Sequence, residues 1–349
     1  MEDLYDYIIV GQGIAGTLLT YLLQKRGAHV LVIDKYNGTS STNISGGILH
    51  PITGRRKVKT WMADILVPFD EEFFTNLQKE FGEQLYHKLN ILELVDSTKD
   101  YNDWIMRSSD NEVKHYFSNE ETEGLYDDVI APSKKISLKH CGWLDLKKIS
   151  SIFRKQLVDS KMLIDETFSF EDLKINEDEV TYKDIKAKRI IFCDGWLATQ
   201  NPYWSWLPFL PAKGEILTIH CPDLKITHIL LKNLFILPLG NDLYKIGSNY
   251  EWKELNEIPT QKTKEDLLNK LKQVLTVPFE VVDHKAAVRP AIQDRRPIIG
   301  FHPKHKCIGI FNGLGTKGVL LAPYFANHFV QYLYGEQDLN SEVDVKRFK

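Results

Sequence analysis

The sequence has few cysteines, no excess of charge of one sign and no long apolar run. The four cysteines, Cys141, Cys193, Cys221 and Cys307, lie far apart and form no Cys-x-x-Cys pair. Their spacing argues against a zinc site and against a disulfide scaffold, and we expect no bound metal. Lys and Arg number 44 and Asp and Glu 47, a formal charge of -3, so no overall positive field favours nucleic acid or an anionic membrane.

From the first residues of the sequence we expect no targeting segment. No apolar run reaches the roughly 20 residues that a membrane-spanning helix needs. A cofactor motif begins at Gly11, which leaves no room for a signal peptide. We therefore expect a cytoplasmic protein with no membrane partner. Its 349 residues, 43% hydrophobic and 26% charged, suit a globular protein of two domains or one large α/β unit.

The first 35 residues predict a dinucleotide-binding unit. A short apolar run ending at Val10 is followed by Gly11-x-Gly13-x-x-Gly16, an apolar helix, a second apolar run and Asp34. Glycines at this spacing allow a tight turn, a close approach of backbone N–H groups to a pyrophosphate, and close packing of helix on strand. The helix N-terminus faces the phosphates, and Asp34 can accept a hydrogen bond from a ribose hydroxyl. NAD and FAD both contain ADP, so this unit alone does not distinguish them.

Three later segments extend the pattern. Ser40–Pro51 is a polar, glycine-containing loop that supplies hydroxyl and N–H donors. Arg189–Trp196 has the pattern of a buried strand ending in glycine, which permits a close approach to a bound cofactor. The strand Ile308–Phe311 leads into the loop Asn312–Gly318 and then an apolar helix. The separation of these segments predicts one cofactor domain with another domain inserted between its parts.

The ordered set of motifs resembles the FAD-dependent D-amino-acid oxidase superfamily, which includes glycine oxidase and sarcosine oxidase. The resemblance covers nearly the whole chain, from the Gly11–Gly16 turn to the Gly313–Gly318 loop. That last loop, together with Ser45-Gly-Gly47, is most similar to the FAD domain of the bifunctional enzyme that modifies the tRNA wobble uridine. The enzyme of that branch oxidises a carboxymethylaminomethyl group and so removes its carboxymethyl arm.

The resemblance implies an α/β fold with a discontinuous Rossmann-type FAD-binding domain and an inserted substrate domain on a mostly antiparallel sheet. We place the FAD-binding parts at 1–80, 140–208 and 285–349, and the substrate-binding parts at 81–139 and 209–284. The family residues that match at this sequence's positions give an expected FAD site. It comprises Gly11, Gly13, Ile14, Ala15, Gly16, Asp34, Lys35, Ser41, Ser45, Gly46, Gly47, Cys193, Asp194, Gly195, Trp196, Arg289, Gly313, Leu314, Gly315, Thr316, Lys317 and Gly318.

The implied reaction is oxidation of the C–N bond of a small amine that carries a carboxylate, with hydride transfer to the flavin and hydrolysis of the imine. Arg289 matches the family arginine that binds the substrate carboxylate, and a guanidinium suits that task. Lys245 matches the sarcosine oxidase lysine that helps to activate oxygen; the alternative is an exposed strand lysine. Lys317 either stabilises the reduced flavin or is solvated, and His50 either lies near the flavin ring or packs in its loop.

Two further residue comparisons refine the expected site. Phe235 stands where glycine oxidase has a tyrosine that helps the arginine, which argues against glycine itself as substrate. No cysteine stands near Arg289, where sarcosine oxidases attach their flavin, so we expect non-covalent FAD.

Other functions compete with this interpretation. The basic run Arg55–Lys59, with Trp61 beside it, is typical either of an RNA contact or of a solvated loop, and we favour the loop. A stand-alone tRNA wobble-uridine oxidase is therefore an alternative. A flavin dehydrogenase that passes electrons to a quinone or carrier is another, and a protein in which FAD is only structural is a third.

Overall fold

The computed structural model describes residues 4–53 and 57–348, which divide into two compact units. The first, here called the parallel-sheet unit, comprises the residues up to Asn43, Leu146–Ala212 and the residues from Val288 onward. The second, the antiparallel-sheet unit, comprises Ile44–Asp145 and Lys213–Ala287. Residues 44–80, which the sequence analysis assigns to the FAD-binding parts, lie in the antiparallel-sheet unit.

Helices and strands alternate along the described residues. The helices are α1 (Ile14–Lys25), α2 (Ser41–Ile44), α3 (Ala63–Phe81), α4 (Thr98–Ser108), α5 (Leu146–Asp159), α6 (Gln261–Lys272) and α7 (Gly318–Leu333). The first ten strands are β1 (Tyr5–Val10), β2 (Val30–Ile33), β3 (Ile48–Leu49), β4 (Ile52–Thr53), β5 (Val58–Lys59), β6 (Tyr86–Lys88), β7 (Ile91–Val95), β8 (Lys134–Leu138), β9 (Gly142–Leu144) and β10 (Leu163–Ile164). The other ten are β11 (Leu173–Ile175), β12 (Val180–Tyr182), β13 (Ile185–Phe192), β14 (Ala212–His220), β15 (Ile229–Leu231), β16 (Phe235–Gly240), β17 (Leu243–Gly247), β18 (Glu280–Arg289), β19 (Ile298–Phe301) and β20 (Ile308–Asn312).

The parallel-sheet unit is built on an eight-stranded sheet. Strands β10, β2, β1, β13 and β20 run parallel in that order, and β11, β12 and β19 pair antiparallel at the sheet's margins. The parallel strands read as continuous apolar runs because both of their faces are covered, as the burial of every residue of β2 shows. Helices α5 and α7 pack against α1, which is itself buried along most of its length.

The antiparallel-sheet unit is built on seven strands in the order β18-β14-β17-β16-β15-β7-β8. Most of its neighbouring strands pair antiparallel, whereas β15 and β7 run parallel. Helix α6 packs on β17, and Leu267 and Leu271, one turn apart, are its buried residues. The Thr260 hydroxyl caps this helix by accepting a hydrogen bond from the Thr263 N–H.

Residues 44–80 belong to the antiparallel-sheet unit because of local pairing. Strand β3 pairs with β9, and β9 pairs with β6, in a small three-stranded sheet. Helix α3 contacts β6 in turn. Sequence motifs alone carry no information on this pairing. Within the described residues, no helix combines the length and apolarity needed to cross a membrane.

Candidate functional site

The glycine turn after β1 has the geometry that a dinucleotide site needs. Gly11 has a φ of +99°, and its N–H donates to the carbonyl of Ile33 over 2.9 Å. A Cβ placed on Gly16 would lie 1.9 Å from the Gly11 carbonyl oxygen and 3.2 Å from Cys193 Cβ. Any side chain at position 16 would therefore push α1 off the turn and off the end of β13.

The N-terminus of α1 is completed by a residue that the motif search did not single out. Gly13 occupies the N-cap position and provides no side-chain cap. The Thr42 hydroxyl accepts a hydrogen bond from the Ile14 N–H over 3.0 Å. The loop after Asp34 therefore places the hydroxyl of Thr42 at the N-terminus of α1. The predicted Ser41 is instead the first residue of α2.

Asp34, at the end of β2, is bound on both carboxylate oxygens. Its Oδ1 accepts from the Gln12 N–H over 2.9 Å, and its Oδ2 lies 2.8 Å from an Arg154 guanidinium nitrogen. The same nitrogen lies 2.8 Å from Gln12 Oε1. Arg154 belongs to α5 and lies one turn after Ser150 on the same helix face. A predicted helix that extended from residue 146 would have placed Arg154 on that face.

A cavity of about 380 Å³ opens beside these residues, entirely within the parallel-sheet unit. It is lined by Gln12 and Gly13 of the turn, by Asp34 to Asn37 after β2, and by the Ser150–Val158 face of α5. The volume is that of a small-molecule site, and the lining offers backbone and side-chain polar groups. This cavity, here called the adenosine cavity, therefore fits the adenosine end of a dinucleotide.

The carboxyl ends of β13 and β20 are joined by a polar pair. Asp194 accepts from the side-chain amides of Asn201 over 2.9 Å and Asn312 over 3.0 Å. The effect of burial outweighs that of these hydrogen bonds and raises the pKa of Asp194 to about 6. Asn312 was not among the predicted residues, yet it follows β20's apolar run just as Asp194 follows β13's. Ligands of open α/β sheets bind outside these strand ends.

The Gly313–Gly318 loop leads into α7 and lies beside the start of α1. A Cβ on Gly318 would be 3.3 Å from Ile14 Cγ2, so the N-termini of the two helices are neighbours. Their partial positive charges add to that of Lys317, the N-cap residue of α7. Burial, together with the charges of Arg295 and Arg296, lowers the pKa of Lys317 to about 8. This end of the unit therefore has the positive potential that favours an anion.

Arg289 ends β18, and the turn after it contacts this same loop. The Gly315 N–H donates to the Pro290 carbonyl over 3.1 Å, and the Ala291 N–H donates to the Arg289 carbonyl over 2.9 Å. The backbone around Arg289 is therefore fixed relative to the Gly313–Gly318 loop. The structure brings these two predicted segments together within the parallel-sheet unit.

Lys245 of β17 contacts the Ser45–Gly47 segment within the antiparallel-sheet unit. Its Nζ donates to the Ser45 carbonyl over 2.8 Å and to the Ile44 carbonyl over 3.3 Å. Tyr244 and Ile246 face the hydrophobic core, so Lys245 projects from the opposite face of the sheet and is partly buried there. A Cβ on Gly46 would lie 3.1 Å from Phe235 Cζ, so the aromatic ring covers the same segment.

The remaining residues of the expected site differ in how far they are buried. Cys193 is buried, which raises the pKa of its thiol well above the ordinary value. Lys35 lies at the exposed edge of the cavity, 3.6 Å from Asp165. The other predicted residues are Ala15 and Leu314, which are buried; Gly195, Trp196 and His50, which are partly buried; Gly47, whose carbonyl accepts from the Leu144 N–H; and Thr316, which is exposed.

The basic run lies partly outside the described residues, since these exclude Arg55 and Arg56. Lys57 donates to the Asp100 carbonyl over 2.9 Å and lies over the Trp104 ring. Lys59 lies 2.6 Å from an Asp64 carboxylate oxygen. The two described lysines of the run are thus engaged within the chain, which favours the loop interpretation over an RNA contact.

Comparison with known proteins connects this arrangement to an enzyme family. Residues 6–332 match the family described as DAO, FAD dependent oxidoreductase. A glycine oxidase of Pseudomonas putida is 23% identical over 359 residues, covering 95% of each chain. The Marinobacter nauticus tRNA 5-methylaminomethyl-2-thiouridine biosynthesis bifunctional protein MnmC is 21% identical over 92% of this chain, which spans 54% of that protein. Among solved structures, iminodiacetate oxidase from Chelativorans sp. superposes with a TM-score of 0.81 at 21% identity, covering 96% of this chain and 97% of the other.

Proposed function

Because this chain belongs to the DAO family of FAD-dependent oxidoreductases, we propose that it oxidises the C–N bond of a small amine that carries a carboxylate. The observation that carries the proposal is the fixed position of Arg289 beside the loop at the N-terminus of α7. The proposal also draws on the names of two similar proteins, glycine oxidase and iminodiacetate oxidase, which identify carboxylate-bearing amines as their substrates.

The cofactor is FAD, and we place it in the parallel-sheet unit with its adenosine end in the adenosine cavity. The Gly11–Gly16 turn and α1 would bind the pyrophosphate, Asp34 the ribose, and the Gly313–Gly318 loop the electron-rich edge of the ring. When bound, FAD supplies the acceptor for the two electrons that leave the amine. We keep the attachment non-covalent, so acid precipitation of the protein should release all of the flavin.

Arg289 would orient the substrate through its carboxylate. A guanidinium binds a carboxylate with two parallel hydrogen bonds, which fixes the carbon next to the nitrogen. That carbon and the nitrogen lose two electrons and two protons to give an imine. Water then adds to the imine carbon, and the C–N bond breaks to release an amine and a carbonyl compound.

Turnover of paired substrates tests this proposal. The panel contains glycine, sarcosine, iminodiacetate, proline and D-amino acids, each beside its carboxamide. We expect a carbonyl product from at least one of the acids and at least about tenfold slower turnover of its amide, because the amide has no charge for Arg289. Equal rates for acid and amide would contradict carboxylate recognition. Reduction of the flavin by none of the amines would remove the substrate class.

A second candidate substrate is a modified tRNA, and the similarity to MnmC favours it. Its oxidised group would again be an amine with a carboxylate, so the same Arg289 would serve. The engagement of Lys57 and Lys59 within the chain is the reason why we rank it second. Oxidation of tRNA with a carboxymethylaminomethyl group, but of no free amine, would reverse the ranking.

The electron acceptor and the location are further parts of the proposal. We propose oxygen, on the ground that Lys245 offers a cation in the position matched to the oxygen-activating lysine. Slow reoxidation of reduced enzyme by air, with rapid reoxidation by a quinone, would instead make it a dehydrogenase. A cytoplasmic location stays a prediction, which cell fractionation tests.

A further inference from the structure

Arg154 lines the cavity beside Asp34, and the FAD site expected from the sequence did not include it. Its guanidinium contacts Gln12 Oε1, Asp34 Oδ2 and the Asp34 carbonyl at 2.8, 2.8 and 3.3 Å. It also lies 3.2 Å from a carboxylate oxygen of Asp165. Its side chain is only 16% exposed. An arginine with this many partners at one end of a cavity is held in a fixed geometry.

The contacts leave Asp34 able to bind a ligand. Each carboxylate oxygen has about two acceptor positions, four in all. The Gln12 N–H occupies one on Oδ1, and Arg154 occupies one on Oδ2. The remaining positions suit the two hydroxyls of a ribose. Arg154 thus fixes the orientation of the Asp34 carboxylate and leaves acceptor positions on it for a ligand.

Tyr36 adds a flat surface to the same cavity. Its ring centroid lies 5.3 Å from the Arg154 guanidinium carbon, and 46% of the residue is exposed. Planar guanidinium and phenol groups at the edge of a cavity are suited to stacking on a purine.

We propose that Arg154 is a positioning residue for the adenosine half of FAD: it holds Asp34 ready for the ribose hydroxyls and, with Tyr36, offers a stacking surface to the adenine. The chain then recognises an ADP moiety independently of the flavin ring. The inference depends on FAD as cofactor and not on the amine substrate, so either can fail without the other.

Lys147 provides a matched control, because it lies outside the lining of the cavity. It lies on the same helix, carries the same charge and is exposed. Removal of a charge from α5 is therefore common to Arg154→Ala and Lys147→Ala, whereas loss of the contacts to Asp34, Gln12 and Asp165 occurs only in the first.

The test measures flavin and nucleotide affinity of the full chain after its FAD has been removed. Arg154→Ala should weaken FAD binding about 10- to 100-fold, while FMN, which lacks adenosine, should bind unchanged. Arg154→Lys should give an intermediate value, and Lys147→Ala should match the parent chain. The parent should prefer ADP to 2′-deoxy-ADP as a competitor, and Arg154→Ala should lose that preference.

Three results would overturn the proposal. Equal weakening of FAD and FMN would make Arg154 merely structural, and a lower thermal midpoint of the FAD-free variant than of Lys147→Ala would accompany that result. Tighter FAD binding by Arg154→Ala would make it a competitor for Asp34. An unchanged preference for ADP over 2′-deoxy-ADP would remove the link between Arg154 and the ribose.

Discussion

The candidate site groups of the parallel-sheet unit and of the antiparallel-sheet unit are positioned in different ways. In the first unit they are chiefly backbone N–H groups at the N-termini of α1 and α7. In the second unit the candidate group is the side chain of Lys245, which β17 positions. Recognition by the backbone depends on glycine spacing, which can be read from a sequence. Recognition by side chains depends on strand pairing, which cannot be read from a sequence.

The largest expected effect concerns the backbone side of this contrast. Gly16→Ala puts a methyl group 1.9 Å from the Gly11 carbonyl oxygen, where neither backbone can yield without moving α1. We expect FAD retention to be lost and stability to fall by about 3 kcal/mol or more. Gly27→Ala is the control: its φ is +80°, and no atom lies within 4 Å of the added carbon, so it should cost only about 1 kcal/mol. Flavin content and thermal unfolding of both variants measure the difference; equal flavin content would show that the turn tolerates a side chain.

The next effect separates substrate binding from cofactor binding. Arg289→Lys keeps the charge but loses the bidentate geometry, so kcat/KM for a carboxylate-bearing amine should fall about 10- to 100-fold with the flavin content unchanged. Arg26→Lys provides the control, since Arg26 pairs with Glu336 on the surface. A variant at position 289 that keeps full kcat/KM would exclude Arg289 from carboxylate binding.

A smaller effect concerns the side-chain contribution of the antiparallel-sheet unit. Lys245→Met keeps the length but loses the cation and its bonds to the Ser45 and Ile44 carbonyls. Reoxidation of the reduced flavin by oxygen should slow about tenfold, with a smaller change in its reduction by substrate. Lys225→Met, at an exposed lysine paired with Asp242, should change neither rate. An equal slowing of both steps would assign Lys245 to the positioning of the Ser45–Gly47 segment rather than to oxygen.

The smallest effect comes from the pH dependence of Lys317. Its pKa is lowered from 10.5 to about 8, so the cation is present below pH 8 and is lost as the pH rises through that value. If this cation stabilises the reduced flavin, the midpoint potential should show an additional fall near pH 8. Lys317→Met should remove that feature and lower the potential at pH 7 by about 30 mV, a tenfold change for two electrons. A potential with the same pH profile in the variant would mean that Lys317 does not sense the flavin.

The same contrast accounts for how far the sequence could predict the structure. The order of β1, α1 and β2, the Gly11–Gly16 turn and the loop before α7 follow from apolar runs and glycines, and the family fold they predicted is confirmed. Arg154 and Asn312 were missed because their roles depend on α5 and β20 lying against Asp34 and Asp194. The membership of Ser45–Gly47 in the antiparallel-sheet unit could not be predicted for a similar reason, since it depends on β3 pairing with β9.

The most direct test of the central claim mixes the purified flavoprotein, without air, with carboxylate-bearing amines and with their amides. We predict that the visible absorption of the flavin disappears with at least one of the acids and persists with its amide. We also predict that Arg289→Lys slows the loss of absorption without changing the flavin content. Persistence of the absorption with every acid, or equally fast loss with an acid and its amide, would contradict the account.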